Sequence, residues 1–212
     1  MLKVYGFSRV NEMARGNTRD LRVLWALEEL EVPYEIVGLD HPNHDLDDAA
    51  FRAKNVFGQV PVIDDDGVIV SESGAVLLYL ARKYGRLMPS DLAGEAQVLR
   101  WSIAALNTVE LPVLAMWFVG LNGGTGAKPH EALRGWGNLR LQQLDGWMQG
   151  RSFVATDAFS VADILMAHVL SVGVEAEMLA PYTNLRVYVE TCLQRPAWVK
   201  TRAAYEERVE AA

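Results

Sequence analysis

Gly58–Tyr84 reads GQVPVIDDDGVIVSESGAVLLYLARKY, and its residue types run strand, turn, strand, helix. Val60–Ile63 and Val68–Val70 are β-branched apolar runs, and Asp65-Asp66-Gly67 between them is a hairpin signal. Val76, Leu77, Tyr79 and Leu80 then recur at helical spacing, with Ser71 or Ser73 as N-cap and Gly85 at the C′ position. Two short paired strands and a helix packed on them follow.

Two details exceed what a packed hairpin needs. Pro61 interrupts the first strand, where a proline marks an edge or a bulge because it donates nothing to the ladder. A cis Val60-Pro61 bond is the other reading. Glu72-Ser73 stands where the helix begins, and helix N-terminal N–H groups favour anions. Ordinary capping explains the pair; so does a site for an amino-acid group, its carboxylate on Ser73 and the N–H groups and its ammonium on Glu72.

Upstream, Leu2–Phe7 is a short apolar run that predicts a first strand, and Ser8–Thr18 (SRVNEMARGNT) is a polar, Gly-containing loop of more than usual length. RDLRVLWALEEL then gives a strong helix, with Leu21, Leu24, Trp25, Leu27 and Leu30 on its apolar face, Asn17 or Thr18 as cap and Val32-Pro33 as its end. Tyr34–Gly38 is the second strand, so the start of the chain is a βαβ unit with a parallel pair. A polar segment with a short helix around Leu46–Lys54 leads into the hairpin. Residues 1–85 therefore predict a small mixed α/β sheet domain of order β-α-β, then β-β-α.

Strand signals largely stop after Gly85. Residues 86–92 read as the start of a linker, RLMPSDLAG, and 93–212 as an all-helical domain. Its helices are expected over Glu95–Val119, with a bend at Pro112, then Pro129–Met148, Ser160–Val172, Leu185–Gln194 and Pro196–Glu210, with a break at Leu121–Lys128 (LNGGTGAK). Ser160 and Asp163 form a capping-box variant that Phe159 staples onto Ile164. Trp101, Trp117, Trp136 and Trp147 read as core packing, with an apolar pocket as the alternative.

Composition narrows the chemistry. A net charge of −7 argues against nucleic acid as a partner, although the chain up to Arg22 is basic, with Lys3, Arg9, Arg15, Arg19 and Arg22 against Glu12 and Asp20. A small anionic ligand near this end or scattered solvated charges both account for that. The lone Cys192 excludes an internal disulfide and a Cys-x-x-Cys pair, and the four histidines show no metal-ligand spacing. No metal is expected. With no run of 18 apolar residues and no apolar N-terminal stretch, the expectation is a cytoplasmic protein without a membrane partner.

A small α/β half followed by a helical half resembles the cytosolic glutathione transferases. The residues that carry the resemblance are Gly58-Gln59-Val60-Pro61, Glu72-Ser73, Ser160-Val161-Ala162-Asp163, the run RVLWALEEL and Arg195-Pro196-Ala197, which occur in the family's order over nearly the whole chain. The resemblance implies a thioredoxin-like N-terminal domain followed by a C-terminal helical bundle, a cis bond before Pro61 and a homodimer. It also implies a glutathione site. Val60 would pair its backbone with the cysteinyl part, Gln59 would lie beside it, Glu72 and Ser73 would hold the γ-glutamyl end, and the helical half would receive a small apolar electrophile.

Conjugation needs a thiolate, and a free thiol with a pKa near 8.5 is only a few per cent ionised at pH 7. In the family the stabilising donor is Tyr, Ser or Cys, or sometimes Asn or Thr, near the first helix. Counting back from RVLWAL, the usual serine position falls on Asn17, followed by Thr18 and Arg19. Asn17 is the first candidate donor to the sulfur, Thr18 the second, and Ser8 and Arg19 stand behind them. Arg15 or Arg19 would add positive potential. Members with Asn or Thr at this position also resemble the nu-type glutathione-dependent disulfide reductases, which makes that activity the alternative; a non-catalytic binding protein of the same fold is a third.

Overall fold

The computed structural model describes residues 1–121, 128–175 and 177–211. Two compact units form, Met1–Gly85 together with Arg195–Ala212, and Arg86–Gln194. The division expected at 1–85 and 93–212 differs at its far end, because the C-terminal segment packs with the first unit.

In the first unit β1 (Leu2–Val10), α1 (Asp20–Leu30) and β2 (Tyr34–Asp40) form the βαβ motif, with β1 and β2 parallel from Leu2 opposite Tyr34 to Phe7 opposite Leu39. β3 (Val62–Asp65) runs antiparallel to β1, and β4 (Val68–Ser71) antiparallel to β3, so the mixed sheet has the order β2-β1-β3-β4. The hairpin forms where its turn residues put it. Asp66 and Gly67 take φ of 51° and 95°, and Asp64 Oδ1 accepts the Gly67 N–H at 2.9 Å.

A short α2 (Ala49–Arg52) follows β2; Asp48 Oδ1 caps it by accepting the Ala50 and Phe51 N–H groups at 2.8 and 3.2 Å. Leu46, Phe51, Val60 and Val62 form an apolar cluster with Tyr5, Phe7 and Leu39. α3 (Ser73–Tyr84) closes the motif and ends on Gly85 in the left-handed conformation, φ 63°.

α1 is buried nearly all round, since it packs on α3 and on α9 (Pro196–Arg208). Trp25 packs against Trp198 with ring centroids 4.7 Å apart and planes tilted by 48°, and Arg195 forks onto the Glu29 carboxylate with bonds of 2.6 and 2.7 Å. A last short strand, β5 (Glu210–Ala211), pairs with β1 at Arg9 and Val10. Two N-terminal expectations change. β1 runs on to Val10, so Ser8 and Arg9 lie in the strand; α1 begins at Asp20 with Arg19 in the cap position and no side-chain cap bond there, while the Thr18 carbonyl accepts the Leu21 N–H at 3.2 Å.

In the second unit the expected linker is bonded to the bundle, since the Leu87 carbonyl accepts the Val161 N–H at 3.0 Å. α4 (Leu92–Ile103), a π-helical turn (Ala104–Val109) and α5 (Glu110–Leu121) make one continuous helix. The irregularity lies just ahead of Pro112, which has no N–H for the Thr108 carbonyl; the Glu110 N–H reaches back to Ala105 instead. Leu92–Gly120 is long and apolar enough, by length and composition, to cross a bilayer. Here its stripe Val98, Trp101, Ala105, Val109, Val113 and Met116 is buried in contact with α6 (Lys128–Met148) and α7 (Val161–Glu175).

The expected break at Leu121–Lys128 falls largely on residues 122–127, outside the described residues. α8 (Thr183–Leu193) completes the unit. Asp163 is its polar centre: its carboxylate accepts from the backbone N–H of Val154 (2.8 Å) and Ser160 (2.9 Å) and from the hydroxyls of Ser160 (3.1 Å) and Tyr188 (3.0 Å). The capping box therefore forms, with Ser160 donating to the carboxylate. Phe159 meets the ring of Phe153 edge-on at 5.6 Å. Trp101 and Trp147 pack with ring centroids 5.0 Å apart and planes tilted by 34°, whereas Trp136 is exposed, so the four tryptophans are not one core cluster.

Candidate functional site

The first turn of α1 is where the candidate residues are tied together. Asp20 faces the sheet and Oδ2 accepts the Phe7 N–H at 3.1 Å; a Cβ on Gly6 would come within 2.7 Å of the same oxygen, so glycine is what lets the carboxyl sit there. One residue past Leu21, Arg22 is also buried and donates from Nη1 to Ser73 Oγ at 3.2 Å. One helical turn thus braces both the far end of β1 and the head of α3.

β3 runs antiparallel to β1 with Tyr5 opposite Val62, so Val60-Pro61, just before β3, lies towards the Gly6–Phe7 part of β1. The Val60-Pro61 bond is cis. Both residues are buried, while Gln59 is exposed and its carbonyl accepts from Asn55 Nδ2 at 2.7 Å. The loop is therefore pinned by a buried side chain that sequence reading passed over.

Glu72 is exposed and takes φ 70°, a region that costs a non-glycine residue of order 1–3 kcal/mol. Neither Ser71 nor Ser73 is the cap: Glu72 holds that position without a side-chain cap bond, and Ser73 is the first helical residue. The consequence is chemical. The Glu72 carboxylate is left out of capping, and the first turn of α3 keeps its N–H groups at an end where Arg22 adds a buried cation behind Ser73. Ser73 accepts from Arg22, so its own hydroxyl hydrogen can be given to an anion.

The donor candidates lie on the turn that leads into α1. Gly16 has φ 86°, the Asn17 N–H bonds to the Ala14 carbonyl at 3.0 Å, and Asn17 is half-buried. Thr18 is buried, with Oγ1 2.8 Å from the Tyr205 hydroxyl and a further hydrogen bond to the Asp20 side chain. Burial pushes the Asp20 carboxyl up from its ordinary value, against the Thr18 and Phe7 hydrogen bonds and the charge of Arg208. Arg19 is exposed.

Ser8 sits apart from that turn, at a register shift of β1 against β2 between Phe7 and Arg9, with its side chain against Gly38. Arg15 is bound to the C-terminal segment through the carbonyls of Val209 (2.9 Å) and Glu206 (2.8 Å) and the Glu206 carboxylate (3.0 Å). Asn55 and Tyr205 are residues that the sequence did not point to, and Asp20 and Arg22 entered only in the charge count of the N-terminal end. The signals for Arg22 are that basic end and its place between Leu21 and Val23 on α1. Among the described residues no group of three or more His, Cys, Asp or Glu is gathered as for a metal ion.

Two family models match in tandem, "Glutathione S-transferase, N-terminal domain" over residues 13–82 and "Glutathione S-transferase, C-terminal domain" over residues 125–196, together more than half of the chain. The chain belongs to the glutathione S-transferase family. Among glutathione S-transferases, GstB of Escherichia coli K12 is 30% identical over 202 residues, 86% of this chain and 92% of that one. Glutathione S-transferase 3 of Schizosaccharomyces pombe is 28% identical over 200 residues, 85% of this chain and 81% of its own length. The fold is that of a glutathione transferase family member from Pseudomonas fluorescens Pf-5, solved with two glutathione bound: TM-score 0.83 at 20% identity, over 95% of this chain and 92% of that one.

Proposed function

We propose that this glutathione S-transferase family member binds glutathione at Val60, Glu72 and Ser73 and adds its thiolate to small apolar electrophiles. The observation that carries the reading is the head of α3, where Glu72 at φ 70° keeps its carboxylate outside the helix while Ser73 is backed by Arg22. These groups match the two ends of an amino acid: Glu72 takes the γ-glutamyl ammonium, Ser73 and the helix N–H groups its carboxylate. The Val60 backbone pairs with the cysteinyl residue and Gln59 lies beside it.

Asn17 donates to the sulfur. Thr18 is the weaker candidate because its one hydroxyl hydrogen is shared between Tyr205 and Asp20, away from any ligand. A hydrogen bond to a charged group is worth about 1.5–3 kcal/mol and a pKa unit 1.36 kcal/mol, so one donor brings a thiol near 8.5 down by about one to two units. The active form is a homodimer, a reading supported by the exposed apolar residues Val56, Phe57, Val68 and Ile69 of the first unit.

Calorimetry with glutathione is the first test, and absence of binding to the full chain sinks the proposal. Turnover with an aromatic halide against a small disulfide then separates transfer from the nu-type reduction that Asn at position 17 also suits. Asn17→Ala is expected to lower kcat with little change in glutathione affinity, and Glu72→Gln to weaken binding first.

A further inference from the structure

The turn that carries Asn17 has local bonds, among them Arg15 N–H to Asn11 and Glu12, Asn17 N–H to Ala14, Leu21 N–H to Thr18 and the Thr18 bond to Asp20. It is also tied to residues 186 to 194 positions further along the chain. Arg202 donates to the Gly16 carbonyl, the Tyr205 hydroxyl meets Thr18 Oγ1, and Arg15 donates to the carbonyls of Glu206 and Val209. Just outside these, β5 pairs with β1 at Arg9 and Val10.

Gly16 is what allows the approach: a Cβ there would lie 2.5 Å from Arg202 Nη1, and φ 86° is itself a glycine conformation. Tyr205 and Asp20 are fully buried and Thr18 nearly so. The Thr18 hydroxyl therefore sits buried between a phenol and a carboxyl, and the backbone of the turn is tied to the far end of the chain.

We propose that Tyr205, on the C-terminal helix, is a positioning residue for thiol activation: by engaging the Thr18 hydroxyl it fixes the turn from which Asn17 reaches the glutathione sulfur. This rests on the glutathione reading above. Tyr205 touches no reacting atom; its effect passes through Thr18 to the neighbouring amide. Without the phenol hydroxyl, Thr18 loses the contact that locates it and the Asn17 donor spreads over several positions, which weakens the hydrogen bond that favours the thiolate. Contacts to Glu72 and to Ser73, the second of which Arg22 bonds, are untouched.

The test uses the full chain with Tyr205→Phe, which keeps the ring and its packing. The expected result is a glutathione Kd changed by no more than about twofold, a kcat lower by about tenfold, and a midpoint for ionisation of the bound thiol, read from thiolate absorbance, raised by about one unit. Arg202→Gln, which loosens the same turn from the Gly16 side, is expected to move the same two quantities in the same direction, and it decides the matter if Tyr205→Phe fails to fold. Unchanged kcat and thiol midpoint overturn the proposal. So does a fall in melting temperature with activity per folded molecule preserved, since that is a structural role alone. A wild-type chain that does not bind glutathione removes the parent reading instead, before either variant is made.

Discussion

Arg22 Nη1 donates to Ser73 Oγ across 3.2 Å, and both side chains are buried. The bond joins the first turn of α1 to the first residue of α3, so a cation from one helix stands behind the N-terminal end of another. Arg22 is thus a core residue and, on the proposed reading, part of the site's electrostatics.

Replacing it separates the two roles. Arg22→Met keeps much of the side chain's volume but removes the charge and the donor to Ser73, which then loses its orientation. Glutathione affinity is expected to fall about tenfold, with a loss of stability of about 1–3 kcal/mol from the buried groups left unpaired. Calorimetry and urea unfolding of the same preparation read both; unchanged affinity in a folded variant would remove Arg22 from the site.

Asp20 gives a pH dependence of definite sign. Its carboxyl is fully buried and its pKa lies above the ordinary 3.8, desolvation being the largest cause. The unfolded chain gives up this proton first. Below 3.8 the group is protonated in both states and imposes no penalty; as pH rises through the higher folded value, the buried charge appears and stability is lost. Asp20→Asn has no such charge. The stability of wild type relative to Asp20→Asn is therefore expected to decline as pH rises from 3.8 through the folded value, measured by urea midpoints across that range; a relative stability that grows with pH would contradict the burial argument.

Asp163 is also a buried carboxyl that burial pushes up from its ordinary value, but it has four donors on it. Asp163→Ala strands two backbone N–H groups inside the second unit and takes the carboxylate acceptor from the hydroxyls of Ser160 and Tyr188. At about 1–3 kcal/mol for each stranded group, a total loss of roughly 4 kcal/mol or more is expected, enough to lower the yield of folded protein. Asp163→Asn keeps an acceptor and is expected to lose less than half as much. Thermal melts of the two variants compare them, and equal losses would show that charge, not acceptor count, is what matters.

Much of both units was legible because their signals are local. Asp66-Gly67 needs only its own φ values, Gly85 ends α3 for the same reason, and Ser160 and Asp163 are three residues apart on one helical turn. The head of α3 was legible as a pair of chemically suitable residues, but Ser71 and Ser73 were expected to cap where Glu72 does. The limit of β1 was misplaced because Ser8 and Arg9 read as loop residues, while pairing to β2 and β5 draws them into the sheet.

Residue type and spacing alone carry the βαβ-ββα order, the hairpin and the helical second half. Each depends on interactions within a few positions of the chain, where residue type and spacing are enough. Only the tertiary structure decided that Arg22 backs Ser73, 51 residues away, that Arg195–Ala212 joins the first unit, and that Tyr205 holds Thr18 across 187 residues. Contacts of that separation follow from packing the whole apolar face of α1 between α3 and α9, and no local pattern encodes them.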